Sequence, residues 1–217
     1  MSPESLGSNQ FDDLKSHTFR VIDSTKDYAV AYKPNFAFFE RWGSRGFSWL
    51  EETVEYIGDS HIKIADAKRG DIGNTAKQYA YSIFEHFGFD CVTINPYMGS
   101  DSIDPFLENI EKGVFLLAKT SNPSAVILQD IRENGIPIYE KVVQMAKDLN
   151  HNNNIGLVVG ATAPKDLKNI RSISPGMPIL IPGVGAQGGD LNTCMQIGNT
   201  NGISLINISR SISFTGD

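Results

Sequence analysis

The chain has 217 residues, 41% of them hydrophobic and 20% charged, which is enough apolar material for a domain with a substantial core and too much for a disordered segment. Its formal net charge of −6 offers no basic field to a nucleic acid or an anionic membrane, so an anionic substrate has to be captured by a few local groups. No apolar run approaches the roughly 20 residues of a membrane span, and Met1 to Gln10 is polar, without the basic-then-apolar layout of a signal peptide. Two cysteines are present, Cys91 in an apolar run and Cys194 in a helical stretch. Cys91 is expected to be a buried reduced thiol, and the cytoplasm is the expected compartment.

In chain order, a helical segment over Phe11 to Thr25 precedes seven apolar, β-branched runs. These runs are Tyr28–Pro34, Ile62–Lys68, Cys91–Tyr97, Gly113–Ser121, Ile155–Thr162, Pro178–Val184 and Ile203–Ser209. Several are apolar on both faces, as parallel strands covered by helices must be. Between Asn74 and Gly88, the residues Ala76, Ala80, Ile83, Phe84 and Phe87 share one helical stripe, with Asn74 placed to cap and Gly88 to terminate. Pro137–Leu149 and Pro164–Ile173 have helical patterns with proline near the first turn. The aromatics Phe36, Phe38, Phe39, Trp42 and Trp49 suit helix packing better than base stacking. The four histidines are scattered, without metal-ligand spacing.

Alternating strands and helices mean an α/β fold with a parallel sheet, either doubly wound or an eight-stranded (β/α) barrel. Polar residues follow nearly every run: Lys33, Asp66 with Lys68, Asn95, Lys119 to Ser121, Thr162, the glycine-rich Gly183–Gly189, and Arg210. A barrel gathers such strand ends at one face, whereas an open sheet concentrates them at one switch point, so the barrel is favoured. Seven of its strands are recognisable, in a single domain over residues 1–217. No linker or low-complexity tract divides the chain.

The densest chemistry lies in Asp66-Ala-Lys68-Arg-Gly-Asp71-Ile-Gly-Asn-Thr75. Residues two apart on a strand face the same way, so Asp66 and Lys68 are expected to project together. A lone Asp-x-Lys reads most simply as an ion pair filling a barrel interior. With Lys33 ending one strand and Asp71 following the next, four charges of alternating sign instead suit a site preorganised for charge rearrangement. The glycines of 183–189 would let a loop present backbone N–H groups to an anion, with Gln187 as a side-chain donor and Arg210 as a bidentate phosphate ligand. Ser121 by itself is an ordinary turn residue. The segment Asn122–Ile136 reads equally well as a lid or a surface loop.

The ten residues from Asp66 to Thr75 resemble the signature of the orotidine 5'-monophosphate decarboxylases, in a variant common in bacteria. Ala31–Asn35, Asn95–Gly99, Lys119–Pro123, Val158–Thr162 and Pro182–Asp190 are similar to further family segments, in family order. The resemblance implies that orotidine 5'-monophosphate is decarboxylated to uridine 5'-monophosphate without cofactor or metal. It implies a catalytic network of Lys33, Asp66, Lys68 and Asp71. Asp71 and Thr75 would be lent to the other subunit's site in a homodimer. Ser121 would hydrogen-bond the pyrimidine edge, and Gln187 and Arg210 would hold the phosphate. The family's first strand, which ends in an aspartate, and its closing helix are expected to be missing here, so truncation at both ends is anticipated. Two other readings compete: a magnesium-dependent sugar-phosphate decarboxylase on the same barrel, and a non-catalytic nucleotide-binding fragment.

Overall fold

In the computed structural model, residues 6–214 are described; the first five residues of the polar start and Asp217 lie outside them. The chain divides into two compact units, the first containing the chain up to Ala67, Gln78–Val92 and the chain from Ser209, the second Lys68–Lys77 and Thr93–Ile208. All seven expected strands are found, most of them shorter than the apolar runs. They are β1 (Ala31–Tyr32), β2 (Ile62–Arg69), β3 (Cys91–Ile94), β4 (Gly113–Lys119), β7 (Ile155–Val159), β8 (Ile179–Pro182) and β9 (Ser204–Asn207). β5 (Arg132–Glu133) and β6 (Ile136–Pro137) form a small antiparallel pair within the segment left open as lid or loop. The α/β class expected from the pattern is the one found.

In the first unit, helix α1 (Phe11–Thr25) has the bounds that its apolar pattern suggests. Its Phe11 ring meets Trp42 at 5.4 Å and Trp49 at 5.6 Å, both edge-on. Helix α2 (Ser44–Ile57) buries Trp49, Leu50, Val54 and Ile57. Phe36 and Phe39 are buried as well, which confirms a packing role for these aromatics rather than an exposed stacking platform. β1 pairs in parallel with β2, Ala31 opposite Ile62. It is far shorter than the Tyr28–Pro34 run, and the reason is local. The amides of Tyr28 and Ala29 both donate to Thr25 O at 2.9 Å in the turn that ends α1, and Pro34 has no N–H to give. Tyr28 is accordingly 88% exposed. Pairing resumes past the proline as a single parallel bridge from Asn35 to Asp66.

The second unit begins with the ends of β2 and β3 and continues through β4, β7, β8 and β9, each strand hydrogen-bonded to the next. β4 with β7, β7 with β8 and β8 with β9 are parallel. Every residue of β7 is buried, as a central parallel strand requires. Helices α4 (Ile138–Leu149) and α5 (Pro164–Ile173) bury Tyr139, Val143 and Ala146, and Leu167 and Ile170. Helix α3 (Gly73–Tyr81) includes Asn74 in its first turn, so Asn74 is not the cap that the sequence suggests. A π-helical turn over Ser82–His86 follows, and Gly88 at φ +70° leaves the helix as expected. Helix α6 (Leu191–Gly198) buries Cys194, while Cys91 is half-buried rather than buried; neither is in a disulfide. No helix among the described residues is long and apolar enough to cross a membrane.

Arg171 of α5 ties this unit together. It is 3% exposed and donates to Gly198 O at 2.9 Å, Met177 O at 2.7 Å, Ile203 O at 2.9 Å and Ser174 O at 3.3 Å. Burial pulls its basicity down from the ordinary guanidinium value. The carbonyls it serves include the last residue of α6 and the turn after α5, positions that helices leave unsatisfied. Replacing it with methionine keeps the bulk and strands these acceptors, at about 1–3 kcal/mol each where no water enters. Arg171→Met is therefore expected to lower the thermal midpoint by at least about 6 °C, measured by circular dichroism; a shift within about 2 °C would show that the clamp is not needed.

Candidate active site

Lys33 follows β1 directly, and its Nζ donates to Asp66 Oδ2 at 2.5 Å. Both side chains are largely withdrawn from water, 13% and 9% exposed. The backbone around them is equally constrained: Asp66 N donates to Pro34 O at 3.0 Å and Phe36 N to Asp66 O at 3.3 Å. A carboxylate this buried is costly unless a cation partners it, and Lys33 does so inside the first unit. Two of the expected residues are thus brought into direct contact. Arg210 belongs to the same unit, where it opens a short helical turn over Arg210–Ser213 with its side chain exposed.

Lys68 departs from the strand geometry assumed for it. Its φ is +46°, in the left-handed region that L side chains rarely adopt. Its amide donates to Thr93 Oγ1 at 3.0 Å, a hydroxyl that is 2% exposed on β3. The side chain of Lys68 itself is exposed. A left-handed non-glycine residue costs roughly 1–2 kcal/mol and persists only where its surroundings enforce it. Thr93 supplies part of that enforcement, and sequence reasoning missed it. The available signal was a threonine between Val92 and Ile94 on a strand otherwise apolar there.

Asp71 follows β2, and its Oδ1 accepts the Ile72 amide at 2.8 Å. Thr75 lies exposed in the first turns of α3. Farther along the second unit, the Ser121 hydroxyl donates to Gln187 Oε1 at 2.8 Å, joining two expected substrate contacts from separate loops. That approach needs small neighbours. A Cβ on Gly160 would lie 2.8 Å from Ser121 atoms, and one on Gly183 would lie 2.9 Å from Gln187 Oε1. Gly183 also sits at φ +99°, where glycine is the natural occupant.

The glycine-rich loop differs from expectation in one respect. The amides of Gly185, Gly188 and Gly189 are not held out for an anion; they donate to Gly189 O, Gly185 O and Gly183 O at 3.0, 2.7 and 3.1 Å. The loop thus spends these donors on its own shape, which fixes where Gln187 is presented. Asp190 then caps α6 through the Thr193 amide at 2.8 Å, and its bonds to Thr193 hold its carboxyl below the ordinary range.

Comparison with known proteins fits this arrangement. The model of the orotidine 5'-phosphate decarboxylase / HUMPS family matches residues 12–217. The orotidine 5'-phosphate decarboxylase of Haloarcula marismortui is 48% identical over 202 residues, covering 91% of this chain and 72% of that protein. Among solved structures, Leishmania donovani OMP decarboxylase superposes with a TM-score of 0.88 at 40% identity, covering 94% of this chain and 80% of the other. Leishmania donovani UMP synthase gives a TM-score of 0.92 at 40% identity over 97% of this chain, which spans about half of that protein, 48%. The fold is the (β/α) barrel type expected from the polar residues at the strand ends, with seven strands recognisable in this chain.

The strained backbone at Lys68 yields a test by substitution. Lys68→Gly removes the steric penalty of the left-handed conformation and is expected to leave the thermal midpoint unchanged or raised, by up to about 1 kcal/mol of stability. Thr93→Val leaves the Lys68 amide without its acceptor and is expected to cost about 1–3 kcal/mol, with Thr93→Ser recovering most of it. A Lys68→Gly protein markedly less stable than wild type would contradict the assignment of strain.

Proposed function

Because the chain belongs to the orotidine 5'-phosphate decarboxylase / HUMPS family, we propose that it converts orotidine 5'-monophosphate to uridine 5'-monophosphate and carbon dioxide, the last step of de novo pyrimidine biosynthesis. The observation that carries this reading is the 48% identity to a relative of that name over 91% of the chain. The buried Lys33–Asp66 pair and the left-handed Lys68 add chemical support.

Loss of the carboxylate leaves an electron pair at ring C6, where no adjacent carbonyl delocalises it. Charge stabilisation and proton delivery then fall to protein side chains. Lys68 takes both roles, as a cation beside the developing carbanion and as the acid that protonates it. Lys33 holds Asp66 in place, and Asp66 in turn orients the ammonium groups around the departing carboxylate. Ser121 reads the pyrimidine edge, with Gln187 and Arg210 on the phosphate. The uncatalysed reaction is slow enough that a barrier reduction on the order of 20 kcal/mol is needed, more than one ion pair supplies. Binding of the remote phosphate provides part of it by orienting the ring against the charges.

The active form is a homodimer in which Asp71 and Thr75 of each subunit complete the other's site. Both lie just past the end of β2, on the connection into α3 and on α3 itself, as residues reaching across an interface would. A reducing compartment, the cytoplasm, suits two cysteines that are not joined in a disulfide.

Two measurements test these roles. The absorbance change on adding orotidylate is expected for the wild type, to fall by about a thousandfold or more in Lys68→Ala, and to be insensitive to a chelator. A chelator-sensitive rate would instead favour a magnesium-dependent sugar-phosphate decarboxylase. Mixing inactive Lys68→Ala and Asp71→Ala proteins is expected to restore about a quarter of wild-type activity, since half the dimers are mixed and each regains one intact site; no recovery would refute the shared site.

A further inference from the structure

A strand end can aim a substrate contact accurately only if the loop leaving it is fixed. β4 leaves into a segment that carries a 3-10 turn at Pro123–Ala125 and a single helical turn at Val126–Gln129 before it reaches β5 at Arg132. Two consecutive residues at its start grip two consecutive residues near its end. The Lys119 ammonium pairs with Asp130. The Thr120 amide donates to Gln129 Oε1 at 3.0 Å, and Gln129 Nε2 donates back to Thr120 Oγ1 at 2.8 Å. Ser121 is the next residue, inside the loop that this double cross-link closes, with its hydroxyl on Gln187. The loop borders a cavity of about 420 Å³ lined by Lys119, Thr120, Ser121, Asp130, Thr162 and Asp166.

Lys119 does not follow simple strand alternation. The register of β4 against β7 slips between Leu117 and Lys119, and such a slip re-aims the side chain that follows it. The ammonium, 5% exposed, lies 3.6 Å from Asp166 Oδ2 on α5 and 5.2 Å from the centre of the Tyr139 ring on α4. Tyr139 OH donates to Asp166 Oδ1 at 3.4 Å. Burial raises the Tyr139 phenol above its ordinary value, so it remains a donor there. A single buried cation thus serves two carboxylates, of which Asp130 stays 42% exposed. Asp130 can withdraw to water while Lys119 keeps Asp166, which makes this rung the one that opens.

We infer that Lys119, Gln129 and Asp130 are positioning residues for Ser121, forming a latch that holds the 120–130 loop shut and sets where Ser121 meets the pyrimidine edge. The inference rests on the reading of Ser121 as the base contact. Removing Lys119 leaves Asp130 and Asp166 at one vacancy with no cation, so Lys119→Met opens the latch more fully than Asp130→Asn. Asp130→Glu retains the charge and is expected to keep the loop more nearly closed than Asp130→Asn.

The test combines kinetics with hydrogen exchange. Asp130→Asn and Gln129→Ala are each expected to lower kcat/KM for orotidylate by about tenfold, chiefly through KM, as loss of one positioned hydrogen bond does. Ser121→Ala is expected to have a similar effect, and the Ser121→Ala/Asp130→Asn double variant to be no worse than the poorer single one, because both act through one contact. Amide exchange over residues 120–130 is expected to quicken in Asp130→Asn while β7 is unchanged. Multiplicative losses in the double variant, or unaltered exchange, would overturn the latch. A wild type that released no carbon dioxide would overturn the functional reading instead, and uridylate titration of the same variants would still show whether the latch governs nucleotide binding at Ser121.

Discussion

A carboxylate buried within a strand has to be answered by a cation, and the pairing of Asp66 with Lys33 at 2.5 Å is the constraint from which the proposed chemistry follows. Neither group is well solvated, so each is stabilised by the opposite charge of the other. Main-chain bonds on both sides of Asp66 fix the backbone that carries it. Charges held by each other before substrate arrives need little reorganisation during reaction, which is the condition under which electrostatic stabilisation is most effective.

The second unit holds its cations in three different ways, and the differences separate structural from functional roles. Arg171 is buried against carbonyl oxygens and works as a clamp between helix ends and strand entry. Lys119 is buried against carboxylates, one of them within reach of water. Lys68 is an exposed residue, yet its backbone is held in a conformation that L side chains rarely adopt. Strain of this kind survives when the position of the side chain matters more than local stability, which is the pattern expected of a proton donor.

Much of this was legible in the sequence, because periodicity and charge placement are local signals. Helix α1 has the bounds its apolar pattern suggests, and the stripe from Ala76 to Phe87 is buried throughout. That Lys33 and Asp66 belong to one charged cluster was legible from charges at successive strand ends, but their direct contact was not. What failed to show depends on backbone detail or on partners distant in sequence. Nothing in the letters around Lys68 signals a positive φ. The glycines of 183–189 suggested free amides, and three of those amides are used within the loop. Arg171 carries no signal in the sequence because its partners are backbone carbonyls, which leave no mark on side-chain identity. Asp130 and Asp166 are equally unmarked in the sequence, since only folding brings them to Lys119.

Transfer of a proton from Lys68 to ring C6 is the step on which the functional reading stands or falls. It can be isolated from carboxylate loss by incubating uridylate with the protein in deuterium oxide and following the H6 resonance by proton NMR. Wild type should exchange H6 for deuterium, while Lys68→Ala, folded and able to bind uridylate, should not. Exchange at an undiminished rate in that variant would contradict the assignment of Lys68 as the acid.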